Sequence, residues 1–192
     1  MTQFSDLREA GGATLHALRV AGWLDPERLA AWDVGNPQEV LDQAVEAGLV
    51  RQAQTPRGAM WGLTPGGTGR AEELLAQWLA GDDGPGTAAL TAVLTGFEAH
   101  DGELKSLVTR YQRGARDDIG ERLREFSERA EPAVREVART APLWATYPAR
   151  LENALLRVEK GDLTYVTSPL VESYHTVWHL AHRDMRLVRE QA

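Results

Sequence analysis

Three histidines near the end of the chain, His175, His179 and His182, stand at i, i+4 and i+7. At about 100° per residue they share a stripe about 60° wide on one helix, and such spacing can bring two or three imidazoles to one metal ion. Tyr174, Val177, Trp178, Ala181, Met185 and Val188 form the apolar face beside them, with His182 nearest the core and His179 the most exposed. There is no HExxH pattern, and a fourth ligand would have to come from Glu172, His100 or Glu103. The expectation is that the histidines flank a core and that no metal and no cofactor is bound. A second grouping joins His175 and His182 to Tyr174, Arg150, Tyr147 and Lys105, which come from different helices. Aromatic and cationic groups converging in a helical cavity suit a small anionic ligand, with arginine giving paired donors to a carboxylate or phosphate. The alternative is a buried polar network that fixes helix register. No nucleophile or carboxylate dyad at a telling spacing supports acid–base catalysis, so the chain reads as a non-enzyme.

A third set of residues concerns DNA. A helix over about 37–47 occupies the place of a recognition helix, and its polar residues are Gln38, Glu39, Asp42, Gln43 and Glu46. Gln38 or Gln43 can read adenine, but phosphate contact and guanine readout want arginine or lysine. Three carboxylates repel a phosphate backbone, and Arg51 and Arg57 beyond the helix are the available phosphate contacts. DNA is therefore an expected partner with thin support, and use as a protein-interaction or dimerisation platform stands beside it.

The elements that must hold these residues follow from turn and cap chemistry. Four sites place a capping residue before proline: Asp25-Pro26, Asn36-Pro37, Thr64-Pro65 and Ser168-Pro169. Each reads as a helix start, because the missing proline N–H costs nothing at the first helical position. Helices are predicted over about 4–22, 26–33, 37–47 and 65–80, with strands near 49–54 and 59–63. Gly48 closes a helix, Thr55-Pro56-Arg57-Gly58 turns the chain, and Thr64 opens the next helix. Helix, two-stranded wing and helix in that order form the second half of a winged helix, over residues 1–80. Residues 81–86 (Gly-Asp-Asp-Gly-Pro-Gly) read as a linker. Beyond it, residues 87–192 read as a four-helix bundle, with helices at about 87–112, 116–139, 147–159 and 169–190, and with Pro132 as a kink or break. The fold class is mainly α.

Gly48-Leu49-Val50 and Leu63-Thr64-Pro65-Gly66 resemble MarR-like winged-helix regulators. The second half resembles the helical domain of small actinobacterial winged-helix proteins, a segment also found beside phosphoenolpyruvate-utilising, dikinase-like proteins. Glu103-Leu104-Lys105, Tyr147, Arg150-Leu151, Arg157-Val158, Gly161-Asp162 and Ser173 to Trp178, with His182 and Asp184, carry that resemblance. At His179 the chain departs from it, since a bulky apolar residue is expected there. The resemblance implies transcriptional regulation and an architecture, and it implies no reaction.

Composition bounds the rest. The chain has 192 residues, no cysteine and a net charge of −7, and 43% of its residues are hydrophobic. Thiol and disulfide chemistry are excluded. No apolar run reaches membrane-spanning length and the first residues lack a signal-peptide pattern, so a cytoplasmic location and no membrane partner are expected. Residues 1–80 hold six arginines against ten acidic residues, and the remainder fifteen basic against eighteen acidic. Neither half has the basic excess of a nucleic-acid binder. The leading expectation is a ligand-responsive winged-helix regulator with a small-molecule pocket in its helical half. The alternatives are a non-DNA-binding accessory or interaction module for a metabolic enzyme, and a metal protein or enzyme using His175 and His182; a protein partner or a homodimer is a further expectation.

Overall fold

The computed structural model describes residues 4–56, 58–82 and 84–192. They form a mainly helical protein with a small three-stranded antiparallel sheet, in two compact units: Met1–Gly86 together with Glu190–Ala192, and Thr87–Arg189. No helix among the described residues is long and apolar enough to cross a membrane.

The first unit runs α1 (Ala10–Ala21), β1 (Trp23–Leu24), α2 (Pro26–Ala30), α3 (Pro37–Glu46), β2 (Val50–Thr55), β3 (Gly58–Leu63) and α4 (Pro65–Ala80). Three of the four cap-proline signals open helices as expected. The Asp25, Asn36 and Thr64 side chains accept from the backbone N–H of Arg28, Glu39 and Gly67. The two most telling sequence motifs interlock. Gly48, at φ 71°, ends α3 in the left-handed region that glycine tolerates. The Thr64 hydroxyl then donates to the Gly48 carbonyl at 2.8 Å, while the Thr64 N–H donates to the Leu49 carbonyl at 3.0 Å. Gly67 completes the joint: a Cβ there would lie 1.9 Å from the Leu49 carbonyl oxygen. The glycine is therefore needed for close approach of backbone to backbone. Leu15, Leu18, Leu29, Leu41, Leu74 and Leu75 fill the core.

Strand order is β1-β3-β2. The strand β1 is too short to leave a periodic signal, and the sequence reading did not include it. The first helix starts later than expected, at Ala10, after turns over Phe4–Glu9.

The second unit runs α5 (Thr87–Glu98), α6 (Asp101–Gln112), α7 (Ile119–Thr140), a 3-10 turn (Pro142–Trp144), α8 (Tyr147–Glu159), α9 (Thr164–Thr167) and α10 (Tyr174–Gln191) as far as Arg189. The expected single helix over 87–112 is two helices. Phe97 and Leu104, on either side of the break, are seven residues apart and stay in phase with a continuous helix, so periodicity is blind to it. Asp101 and Glu103 in the first turn of α6 favour a new helix start, where carboxylates meet the positive end of the helix dipole. Pro132 breaks nothing: α7 runs through it, and it lies on the exposed side, where water can satisfy the freed carbonyl. Ser168-Pro169 does not start the last helix. The Ser168 hydroxyl accepts from Leu170 N–H in a turn, and Ser173 takes the capping role by accepting from Thr176 N–H. An aromatic core stands at the centre, with Phe97 stacked on Trp178 at 4.0 Å and Phe126 edge-on to Trp178 at 5.2 Å.

Candidate functional site

The outward face of α3 is built by a clean amphipathic split. Val40, Leu41 and Ala44 are buried, while Glu39, Asp42, Val45 and Glu46 are exposed. The two glutamines expected to read bases are held within the helix: Gln38 donates to Asp42 at 2.8 Å and Gln43 to Glu39 at 3.5 Å. The face is thus three carboxylates with Val45, which is 41% exposed, at its edge, and with no lysine or arginine on the helix.

Arg51 stands on β2, in one rung of the sheet with Gly62 of β3 and Trp23 of β1. Because Gly62 carries no side chain, its neighbours reach over it. The Trp23 ring lies so close that a Cβ on Gly62 would come within 2.8 Å of it, and the Arg51 guanidinium sits 5.3 Å from the ring centroid. Arg51 is therefore half of a cation–π pair on the outer face of the sheet. Arg57, the other expected phosphate contact, lies outside the described residues.

In the second unit the expected ligand residues divide. Tyr147 and Arg150, one helical turn apart on α8, touch: the guanidinium lies 5.0 Å from the Tyr147 ring. Arg150 is buried and closes on Glu172 through two bonds, Nε to Oε2 at 2.9 Å and Nη2 to Oε1 at 2.7 Å. The paired donors foreseen for a ligand already hold a carboxylate of the chain itself. The Tyr147 hydroxyl donates to Asp184 Oδ2 at 2.8 Å inside the core. Burial, then the Asp184 charge, holds the Tyr147 phenol well above its usual range.

His182 belongs to another cluster. Its Nε2 lies 2.7 Å from Glu98 Oε1 and its Nδ1 3.2 Å from Asp101 Oδ2, a pair of acceptors that only the doubly protonated ring satisfies on both sides. Glu98 also accepts from Arg186 at 2.8 Å, and Asp101 accepts from the Trp178 indole at 2.8 Å. These bonds, His182 first and Arg186 second, hold the Glu98 carboxyl below its ordinary range. Tyr174 packs edge-on to Phe126, and burial pushes its phenol up to about 12 despite a hydrogen bond with Ser127. His175 is half-buried. Burial, and then the charge of His179, lowers its pKa. Lys105 is exposed on α6. Among the described residues no group of three or more histidine or acidic side chains is placed to hold a metal ion.

The sequence reading missed the acidic partners. Asp184 carried a signal: it lies on the same stripe of α10 as Ala181 and Val188, and a carboxylate in an apolar stripe demands a buried donor. Glu98 ends α5 and Glu172 lies in the turn before α10, and neither carried one. Comparisons with protein-family models, curated proteins and solved structures find no match to this chain.

Proposed function

We propose that the chain is a regulatory interaction protein in which a winged-helix unit docks a basic protein surface, joined to a helical unit that serves it as a second module. The element order of the first unit, helix, short strand, two helices and a hairpin, supports the winged-helix reading. The observation that carries the function is the outward face of α3, where Glu39, Asp42 and Glu46 lie beside an exposed valine at the edge of the face. In a recognition helix that face would lie on phosphates, which carboxylates repel. Against a partner with lysines or arginines around an apolar pocket, the same face supplies complementary charge and an anchor. This is the accessory or interaction reading of the sequence.

The test pairs two probes, a lysine-rich amphipathic peptide and a random-sequence DNA duplex, followed by fluorescence anisotropy at low and physiological salt. The peptide is expected to bind and the duplex not. Changing Glu39→Gln, Asp42→Asn and Glu46→Gln together should weaken the peptide by at least about tenfold, the scale of a few rim charges. Tight duplex binding at physiological salt, or peptide binding indifferent to the triple change, overturns the proposal. The first of these outcomes would favour the ligand-responsive DNA-binding regulator, which the same element order also accommodates.

A further inference from the structure

A groove of about 360 Å³ runs between α7 and α8 and is open along one side. That volume falls at the lower end of small-molecule sites. Its floor is apolar: Val134 from α7, Leu151 and Leu155 from α8, and the buried Tyr174 of α10. Its rim is charged, and the two signs are in different states. Both arginines on the rim are engaged. Arg124 pairs with Glu159 at 2.6 Å, and Arg135 with Glu131 at 2.5 Å one turn away on its own helix. The carboxylates of Glu128, on α7, and Glu152, on α8, hold no ion pair among the described residues. Glu128 exerts only a Coulombic pull on neighbouring Arg129, whose guanidinium bonds Glu103. The available charge at the rim is therefore negative, on both walls, above an apolar floor with an aromatic ring in it.

We infer that this groove binds an amphiphilic organic cation, an aromatic or short alkyl body carrying an ammonium group, with the body on Leu151, Leu155 and Tyr174 and the charge between Glu128 and Glu152. An anion would have to displace Glu159 or Glu131 from an arginine before meeting a free positive charge. A cation meets two carboxylates that give up nothing but water. The phenol of Tyr174, buried against Phe126 and Trp178, stays neutral through the physiological range, so the floor brings no charge to compete with the cation. The site lies wholly in the second unit and does not rest on the reading of α3. It reverses the ligand charge expected from sequence, where Arg150 suggested an anion.

Isothermal titration of the whole protein tests this with three probes of similar body and different charge: benzyltriethylammonium, benzyl alcohol and phenylacetate. The expected order is ammonium first, alcohol weaker and phenylacetate not at all, with one ammonium per chain. Glu128→Gln and Glu152→Gln should each weaken the ammonium about fivefold, as loss of an exposed ion pair does. Both carboxylates are exposed, so these variants fold. Reversing the walls, with Glu128→Lys and Glu152→Lys together, should abolish ammonium binding and admit phenylacetate. Equal binding of all three probes, ammonium binding unchanged by the reversal, or no ammonium binding at millimolar concentration overturns the inference. An amphipathic peptide that binds this groove in place of the ammonium also overturns it, and makes the groove a helix-docking surface.

Discussion

The two units use charge in opposite ways. The second holds fifteen basic and fifteen acidic residues, and the first six basic against thirteen acidic, so the first carries the whole net charge of −7. A division at residue 80 hides this, because Asp82, Asp83 and Glu190 group with the first unit. In the second unit opposite charges meet across elements: Arg150 with Glu172, His182 with Glu98 and Asp101, Arg124 with Glu159. In the first, α3 leaves three carboxylates facing outward with only amide side chains bonded to them. The first unit has a cross-element pair too, Arg19 of α1 with Glu72 of α4, but its α3 carboxylates present a surface. Removing a buried charge should therefore cost stability in the second unit, and removing an α3 carboxylate should change recognition in the first.

The largest effect should come from Arg150→Ala, which removes a buried guanidinium from the partly buried carboxylate of Glu172. Urea unfolding should show a loss of about 3 kcal/mol, the low end of the range for breaking a buried pair, because Glu172 keeps contact with water. A loss under about 1 kcal/mol would place this pair with ordinary surface ion pairs and erase the contrast between the units. Next, Tyr147→Phe removes one hydrogen bond from buried Asp184 and should cost about 1–3 kcal/mol by the same measurement.

Acidity provides a third, smaller test. Burial lowers the folded-state pKa of His175, so its charging favours the unfolded chain. Stability should therefore fall as the pH drops below about 6.5, where an unfolded histidine takes up a proton. His175→Asn should flatten that part of the profile. Glu98 has a lowered folded-state pKa, so its contribution is present above the ordinary glutamate value of 4.5 and is lost as the pH falls through its lower folded value. Glu98→Gln should remove that second, more acidic decline and leave the first. If both declines persist in both variants, these two clusters do not govern the acid response. The smallest effect on stability should be that of the α3 triple change, within about 0.5 kcal/mol, because these carboxylates bond only exposed side chains of their own helix and its cap. A larger loss would mean that these carboxylates also serve the fold.

Much of the first unit was legible because its signals are local. A cap, a proline and a glycine at fixed offsets need only their own neighbours, so Asp25, Asn36, Gly48 and Thr64 stand where sequence placed them. The same rule misread Ser168, because Ser173 offers an equivalent hydroxyl five residues later and the chain turns in between. The helical unit was legible in its periodicity and illegible in its pairing. Arg150 was visible as a cation on α8, but its partner Glu172 lies in a turn 22 residues away, and no pattern connects them. An arginine seen alone suggests an anionic ligand, and seen with Glu172 it has its anion already. The split of α5 from α6 was hidden by an accident of phase between Phe97 and Leu104.

The rung of Trp23, Gly62 and Arg51 has an optical consequence. Trp23 is 39% exposed, while the other five tryptophans are each at most 8% exposed. Collisional quenching by iodide in the native protein should therefore report this one indole, under its guanidinium, against a background of five shielded emitters. A partner that covers the outer face of the sheet would shield the sixth as well. Occupancy of that face can thus be read without a label, from the natural emission of the chain.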